Sequence, residues 1–219
     1  MEIIRYEFRP INSNMYVIPG KNSAIIIDPC ISEEALLMLK ERGIKHVLML
    51  LTHEHYDHIS GVNWWKEMIT SDVLCSVACN ERICDPRQNL SAHYDVLFLF
   101  QSKEVQEESK GFNFEPFSCY ATQTFEGDYH LEWEGHEFDL TETPGHSPGS
   151  CCIVFDKTKC FTGDSLILGL KTCTRLPKGN RKVFNEMKEN YLKKLPEDCI
   201  IYPGHGVPFS IKDVDFDLL

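Results

Sequence analysis

The sequence predicts an α/β (α+β) fold in a single domain, and three features carry that prediction. A hairpin signature opens the chain, and a strand, loop, helix rhythm follows it. Antiparallel strand patterns then return in the second half. The 219 residues, 42% hydrophobic and 25% charged, are enough to bury one sizeable core. Residues 16–18 and 24–27 are short β-rich runs separated by Pro19-Gly20-Lys21-Asn22, a hairpin with turn residues in its middle. Ser32 is a good N-cap, Glu33 and Glu34 suit the positive end of a helix, and Ala35, Leu36 and Leu39 give that helix one apolar face up to Gly43. Residues 46–51 read as a buried strand, 59–69 as a helix and 73–77 as another strand. Residues 80–127 are ambiguous: an apolar run at 96–100, a charged run at 103–110 and an aromatic-rich stretch at 112–125 read either as a lid over a site or as a plain insertion. The charged run by itself reads as a solvated face. Beyond it, 131–143 alternates around the Glu134-Gly135 turn, and 153–155 pairs with 160–162 across four turn residues. Residues 185–195 look helical, Pro196 stops them, and 199–202 form a last strand.

Composition narrows the functional classes. A formal net charge of −11, with 22 Lys and Arg against 33 Asp and Glu, argues against nucleic acid and anionic membrane, which need clustered cations. The expected partner is a small-molecule substrate, and a homodimer is compatible with the sequence. Residues 1–10 hold no apolar core of signal-peptide length and no stretch approaches a membrane span, so a cytoplasmic location is expected. Ten cysteines fall largely in apolar runs (Cys75, Cys151, Cys152, Cys160, Cys199) and read as reduced, buried thiols. Cys75 and Cys79 lack the second pair that a zinc knuckle needs.

The chemistry concentrates in residues 52–58, Thr-His-Glu-His-Tyr-Asp-His, at the end of a predicted strand. The pattern H-x-H-x-D-H would arise by chance in about one sequence of this composition per thousand. An extended segment points His53 and His55 the same way, and a following turn aims Asp57 and His58 at a second position nearby, so one loop can serve two metals. Further donors stand at strand ends downstream: His146 in Pro144-Gly145-His146, Asp164 in Gly163-Asp164, and His205 in Gly204-His205-Gly206. Each has a glycine beside it, which allows sharp turns and close approach. The imidazole-rich, thiolate-free set favours zinc, while iron and manganese accept similar donors. His46, His93, His130 and His136 lack such neighbours and read as structural or exposed. Trp64 and Trp65 read as packing residues, and Glu54 and Tyr56 fill the variable positions of the motif.

Asp28-Pro29, the H-x-H-x-D-H cluster, Thr143-Pro144-Gly145-His146, Gly163-Asp164 and Pro203-Gly204-His205-Gly206 occur in the order found in the metallo-β-lactamase superfamily, and they span most of the chain. The sequence most resembles its glyoxalase II (hydroxyacylglutathione hydrolase) branch and the small stand-alone hydrolases similar to it. The resemblance implies an αββα four-layer sandwich, two mixed β-sheets flanked by helices, with the site at one edge. It implies a first metal on His53, His55 and His146, a second on Asp57, His58 and His205, and Asp164 bridging two divalent ions, zinc first. The implied activity is hydrolysis of a small activated acyl compound, thioester first, by a hydroxide that bridges the metals and that Asp57 orients. Asp28 is a candidate to fix imidazole tautomers.

Two departures bear on substrate. Full glyoxalase II enzymes carry a C-terminal helical domain that helps hold glutathione, whereas this chain ends 14 residues after His205, so glutathione recognition is not carried over. Related small hydrolases have a segment resembling G-R-T-D-L-P after the bridging aspartate, where Thr172-Cys173-Thr174-Arg175-Leu176-Pro177 stands here. Lys171, Arg175 and Lys178 read either as a cationic rim for a substrate carboxylate or as a basic surface loop. Lactonases and other esterases share all seven ligands, and a mononuclear-iron persulfide dioxygenase is a redox alternative. Antibiotic hydrolysis is disfavoured by Asp164 in the bridging position. The flavodiiron branch is disfavoured by His55, where it has glutamate. A non-catalytic binding domain would show gaps in the ligand set, and the sequence has none.

Overall fold

The computed structural model of the chain describes residues 1–9, 11–99, 102–112 and 114–219. Two six-stranded sheets stack face to face. The first runs in chain order through β1 (Ile4–Phe8), β2 (Ser13–Pro19), β3 (Ser23–Ile27), β4 (His46–Leu50), β5 (Thr70–Ser76) and β6 (Gln123–Phe125). It is antiparallel as far as β3 and parallel from β3 to β6. The second holds β7 (Asp128–Trp133), β8 (His136–Glu142), β9 (Cys151–Phe155), β10 (Lys159–Gly163), β11 (Ile200–Pro203) and β12 (Phe209–Ser210). There only β10 and β11 run parallel. Both sheets are therefore mixed, and with helices on the outer faces the αββα sandwich expected from the sequence is formed.

The layering follows from the two-residue period of the strands. On β2, β3 and β4, Met15, Val17, Ala24, Ile26, Val47 and Met49 face outward, under Ala35, Leu36 and Leu39 of α1 (Glu33–Glu41) and Trp65 of α3 (Val62–Met68). Their alternates Tyr16, Ile18, Ile25, Ile27 and Leu50 face inward, against Phe138, Ile153, Phe155 and Phe161 of the second sheet. Cys152, Cys160 and Ile201 line the opposite outer face, under Phe184 and Met187 of α7 (Arg181–Asn190). Eight of the ten cysteines are buried and all are free, as the apolar context of their positions predicts. No helix among the described residues is long and apolar enough to cross a membrane.

Three segments differ from the sequence expectation. The helix expected over 59–69 is two pieces, α2 (Tyr56–Ile59) and α3, because the Gly61 N–H donates to Pro29 O and the Asp57 carbonyl accepts from Ser13 Oγ in place of the helical bond between them; Gly61 lies so close to the Cys30 backbone that a Cβ would stand 2.5 Å from its carbonyl carbon. Helix α7 starts four residues before the expected 185, since Asn180 caps it by accepting from Lys182 N and Val183 N, and a 3₁₀ turn at Leu192–Lys194 completes it. Ser76 ends β5 one residue before the expected 77 and caps α4 (Val77–Ile83), a helix that runs into the segment read as ambiguous. In the rest of 80–127, a 3₁₀ turn at Ser91–His93 leads into α5 (Tyr94–Phe98), and α6 (Lys103–Ser109) follows with none of its side chains buried. Phe100, the end of the apolar run, lies outside the described residues.

One surface residue staples the two sheets. Glu134, in the β7–β8 turn at φ +49°, accepts from Lys21 N, Asn22 N, Ser23 N and Ser23 Oγ in the β2–β3 turn. Slight burial pushes its carboxyl up, but these bonds outweigh it and hold the group at about 2, against an ordinary 4.5. A carboxyl depressed by folding stabilises above its unfolded value and loses that contribution as pH falls through its folded value. Glu134→Ala is therefore expected to cost about 1 kcal/mol at pH 7 after allowance for solvent screening, roughly 2–4 °C in melting temperature. Melting curves of variant and parent should converge between about pH 4 and pH 2. A gap that persists at pH 2 would rule the charge out as its cause.

Candidate metal centre

The C-terminal ends of β4, β10 and β11 open on one edge of the sandwich, and the loops leaving them carry six of the seven predicted donors. His53 and His55 follow β4, Asp57 and His58 sit in α2, Asp164 follows β10 and His205 follows β11. His146 comes from the β8–β9 loop. All seven are brought together, in two groups.

In the first group, His55 Nδ1 lies 3.1 Å from His53 Nε2 and 3.0 Å from His146 Nε2. The tautomers follow from the other ring atoms. His146 Nδ1 donates to the Cys173 carbonyl at 2.8 Å, so its Nε2 keeps a lone pair. His53 Nδ1 lies 3.1 Å from Thr52 Oγ1, whose own proton goes to Asp28 Oδ2 at 2.6 Å, so His53 donates outward as well. Three ring nitrogens thus converge with at most one proton among them, an arrangement that a cation satisfies. The spacing approaches the roughly 3.3 Å edge of a tetrahedron with Zn–N bonds of about 2.0–2.1 Å. Burial pushes the pKa of all three rings down, His55 to about 3, aided by the charges of neighbouring imidazoles, so each is neutral and able to ligate.

In the second group, Asp57 Oδ2 lies 3.2 Å from His58 Nε2 and 3.4 Å from His205 Nε2. Asp164 stands between the groups. Its Oδ1 is 3.4 Å from His58 Nε2 and 3.5 Å from His205 Nε2, while its Oδ2 is 3.7 Å from His146 Nε2. His58 Nε2 and Asp164 Oδ1 are buried and without a formed hydrogen bond. Orphaned donor atoms of this kind are what metal coordination would satisfy, so the residues fit the ions the resemblance implies. Burial alone would raise both aspartates, but the charges of His58 and His205 outweigh it and hold them well below the usual range. Burial would lower His58 and His205; the two carboxylates instead raise them, His205 to about 10.

The sheets fix this geometry from below. Asp28, at φ +51°, accepts from Thr52 N at 2.7 Å and from His58 Nδ1 at 2.9 Å, the tautomer-fixing position anticipated from the sequence. Its oxygens are thereby committed, so its proximity to His53 and His58 makes it a support and not a third cluster. Gly163, at φ +49°, packs on Thr52, and a Cβ on Gly204 would collide with Asp164 Oδ1 and stand 2.8 Å from His58 Cε1. Both close approaches explain the glycines beside the donors.

Sequence reasoning missed several supports. Glu54 is 1% exposed and accepts from Ser147 Oγ at 2.8 Å and Gly149 N at 3.1 Å, with Arg82 Nε 3.8 Å away. It therefore ties the His53–His58 loop to the loop of His146. The His205 loop is held by Asn14, whose Nδ2 donates to the carbonyls of Pro203 and Gly206, and by Tyr16, whose hydroxyl donates to Pro203 O. Nothing local marks such residues, because each acts across more than 90 positions of chain. The other histidines are as expected: His46, His130 and His136 pair with Asp72, Asp139 and Asp156, and His93 is exposed. Trp65 is buried with its indole donating to Cys30 O.

A cavity of about 380 Å³ opens beside the centre, bordered by His146, Asp164 and His205. Ile11, Ile167 and Leu170 form its apolar wall and Lys171 contributes its one ammonium. Of the basic residues considered from sequence, Lys171 alone lines it; Arg175 and Lys178 are exposed.

Fold and donor arrangement define a metallo-hydrolase architecture. The family model of the metallo-beta-lactamase superfamily matches residues 8–205, and the chain belongs to that superfamily. Hydroxyacylglutathione hydrolase GloC of Haemophilus influenzae is 29% identical over 189 residues, 85% of this chain and 81% of that protein. The crystal structure of the BLEG-1 B3 metallo-beta-lactamase is similar at a TM-score of 0.80 and 26% identity, covering 97% of this chain and 95% of that one. A protein solved in a di-iron-bound form is similar at a TM-score of 0.70, with 96% of each chain covered. At 23% identity that likeness shows the fold alone.

Proposed function

We propose that this metal-dependent hydrolase cleaves a small acyl thioester. His53, His55 and His146 hold one metal, Asp57, His58 and His205 hold another, and Asp164 is shared between them. The observation that carries this reading is Asp164, which turns one oxygen toward each donor group. Two divalent ions held there supply a hydroxide nucleophile near neutral pH and polarise the acyl carbonyl. The chain's own residues do the rest. Asp28 orients His58 directly and His53 through Thr52. Asp57 orients the nucleophile, Ile11, Ile167 and Leu170 keep water from the acyl group, and Lys171 pairs with an anionic end of the substrate. Thioester stands ahead of lactone because thiols ionise near pH 8.5, so a thiolate departs with little help from an acid. That suits a centre whose two carboxylates would be metal ligands and so not free to act as acids. The similarity to a hydroxyacylglutathione hydrolase supports the same choice. The five imidazoles and two carboxylates favour zinc over iron or manganese.

The test is metal content by elemental analysis of protein purified without chelator, paired with turnover of S-lactoylglutathione, a small lactone and a penicillin. The penicillin arm answers to the B3 metallo-beta-lactamase likeness. About two zinc ions per chain, with thioester turnover at least about tenfold above the others, is expected. One iron per chain with oxygen consumption on a persulfide would replace hydrolysis by dioxygenase chemistry. Metal-free, inactive protein would move the reading to a binding domain.

A further inference from the structure

Just beyond Asp164 the chain runs through Leu166-Ile167-Leu168-Gly169-Leu170, a stretch without a polar side chain. Leu166 is buried in the layer under α7. The rest turns outward: the Leu170 N–H donates to Ile167 O, Gly169 takes φ +72°, and Leu168 and Leu170 are 44% and 57% exposed. The base of this turn is pinned, since Thr172 Oγ1 donates to Ser165 O at 3.1 Å and the Arg181 guanidinium donates to Thr172 O. Single exposed leucines are ordinary, but apolar surface gathered beside a polar centre marks a ligand groove. Ile167 and Leu170 line the cavity that His146, Asp164 and His205 border. With Leu168, Val214 and Leu218 they also line a second cavity, of about 110 Å³, toward the C-terminal segment. The apolar surface therefore continues from the donors across the loop. The charged groups on the second cavity are Asp213 and Asp215, which repel an anionic head group.

We propose that this leucine-lined strip is the subsite for the substrate's acyl chain, which is then an uncharged aliphatic group of several carbons. The inference rests on the thioester reading above and narrows its substrate class. The strip begins at the donors, so a chain leaving the acyl carbonyl along Ile167 and Leu170 exchanges water for apolar contact with each added methylene. The cavity at the donors, about 380 Å³, is of a size that holds a whole small ligand, more room than an acetyl or lactoyl group fills. Lys171, on the same cavity, is left to an anionic group on the thiol portion.

Two chain-length series test the subsite. S-alkylglutathiones, thioethers that cannot be hydrolysed, are titrated into metal-free full-length protein by calorimetry, and acylglutathiones from acetyl to octanoyl are assayed with the metal-loaded enzyme. Affinity and kcat/KM are each expected to rise about two- to fourfold per methylene as far as hexyl and hexanoyl. Leu170→Ser changes an exposed side chain outside the core and should cut the long-to-short ratio of both series by about five- to tenfold. Flat series in parent and variant alike would overturn the subsite and leave thioester turnover standing. Chain-dependent binding with no turnover of any thioester would overturn the thioester reading and leave the strip an aliphatic subsite. Flat series together with a dimer that Leu168→Ser dissociates, read by sedimentation, would overturn the proposal and give the leucines to a second copy of the chain.

Discussion

Replacing Asp164 by alanine is expected to reduce bound metal from about two ions per chain to about one or fewer and to lower turnover by a factor of 10³ or more. The reason is geometric. Asp164 is the one donor with an oxygen toward each cluster, Oδ1 beside His58 and His205 and Oδ2 beside His146. Its removal leaves His58 and His205 sharing the single carboxylate of Asp57 and takes away the oxygen that would hold two ions in one site. A change of several kcal/mol in transition-state stabilisation corresponds to that factor, since each 1.4 kcal/mol is roughly tenfold. Asp164→Asn separates charge from shape, because the amide keeps a similar volume and one oxygen but no negative charge. It should lose metal nearly as completely. Elemental analysis and turnover at saturating thioester read both effects. Two metals in Asp164→Ala, with turnover within tenfold of the parent, would remove Asp164 from the bridging position.

How much of this was legible in advance follows from what a sequence encodes locally. The strand alternation of β2, β3 and β4 is written residue by residue, and so is the N-cap at Ser32, which accepts from Ala35 N in the structure. The candidate donors that the fold brings together were legible because seven residues of the right types stand at motif spacing. Their grouping came from family resemblance, since nothing in the spacing says that His146 joins His53 and not His58. The break at Gly61 was hidden because its N–H bonds to Pro29 O, 32 positions earlier. The segment at 80–127 was hidden for a related reason. Its helices are short, and the side chains that anchor it, Tyr94 and Phe114 on Tyr56, meet only in the folded chain. The role of Glu54 was hidden on the same principle: at a variable position between His53 and His55, it carries no local sign of the loop of His146 that donates to it.

Glu54 carries the second large expectation, and it concerns stability before chemistry. Glu54→Ala leaves Gly149 N and Ser147 Oγ without the acceptor they share. Leaving buried donors without their acceptor costs about 1–3 kcal/mol each, and the cavity left by the side chain adds to it, which in a domain of this size lowers the melting temperature by roughly 10 °C. Burial pushes the Glu54 carboxyl up despite the opposing hydrogen bond from Ser147 and the charge of Arg82, so the charged form is itself costly there. Glutamine should therefore recover most of the loss, because it keeps the volume and one acceptor oxygen without a buried charge. The loop it secures carries His146, so metal affinity at the His53, His55 and His146 group should fall along with stability in Glu54→Ala and return in Glu54→Gln. Thermal unfolding of the metal-free proteins and Co²⁺ titration measure the two. If Glu54→Ala melts within about 2 °C of the parent, the tie between the two loops is not holding the site. The loop of His146 must then be fixed by Ser76 and Ser150, whose hydroxyls bond to Gly149 O and Ser147 Oγ.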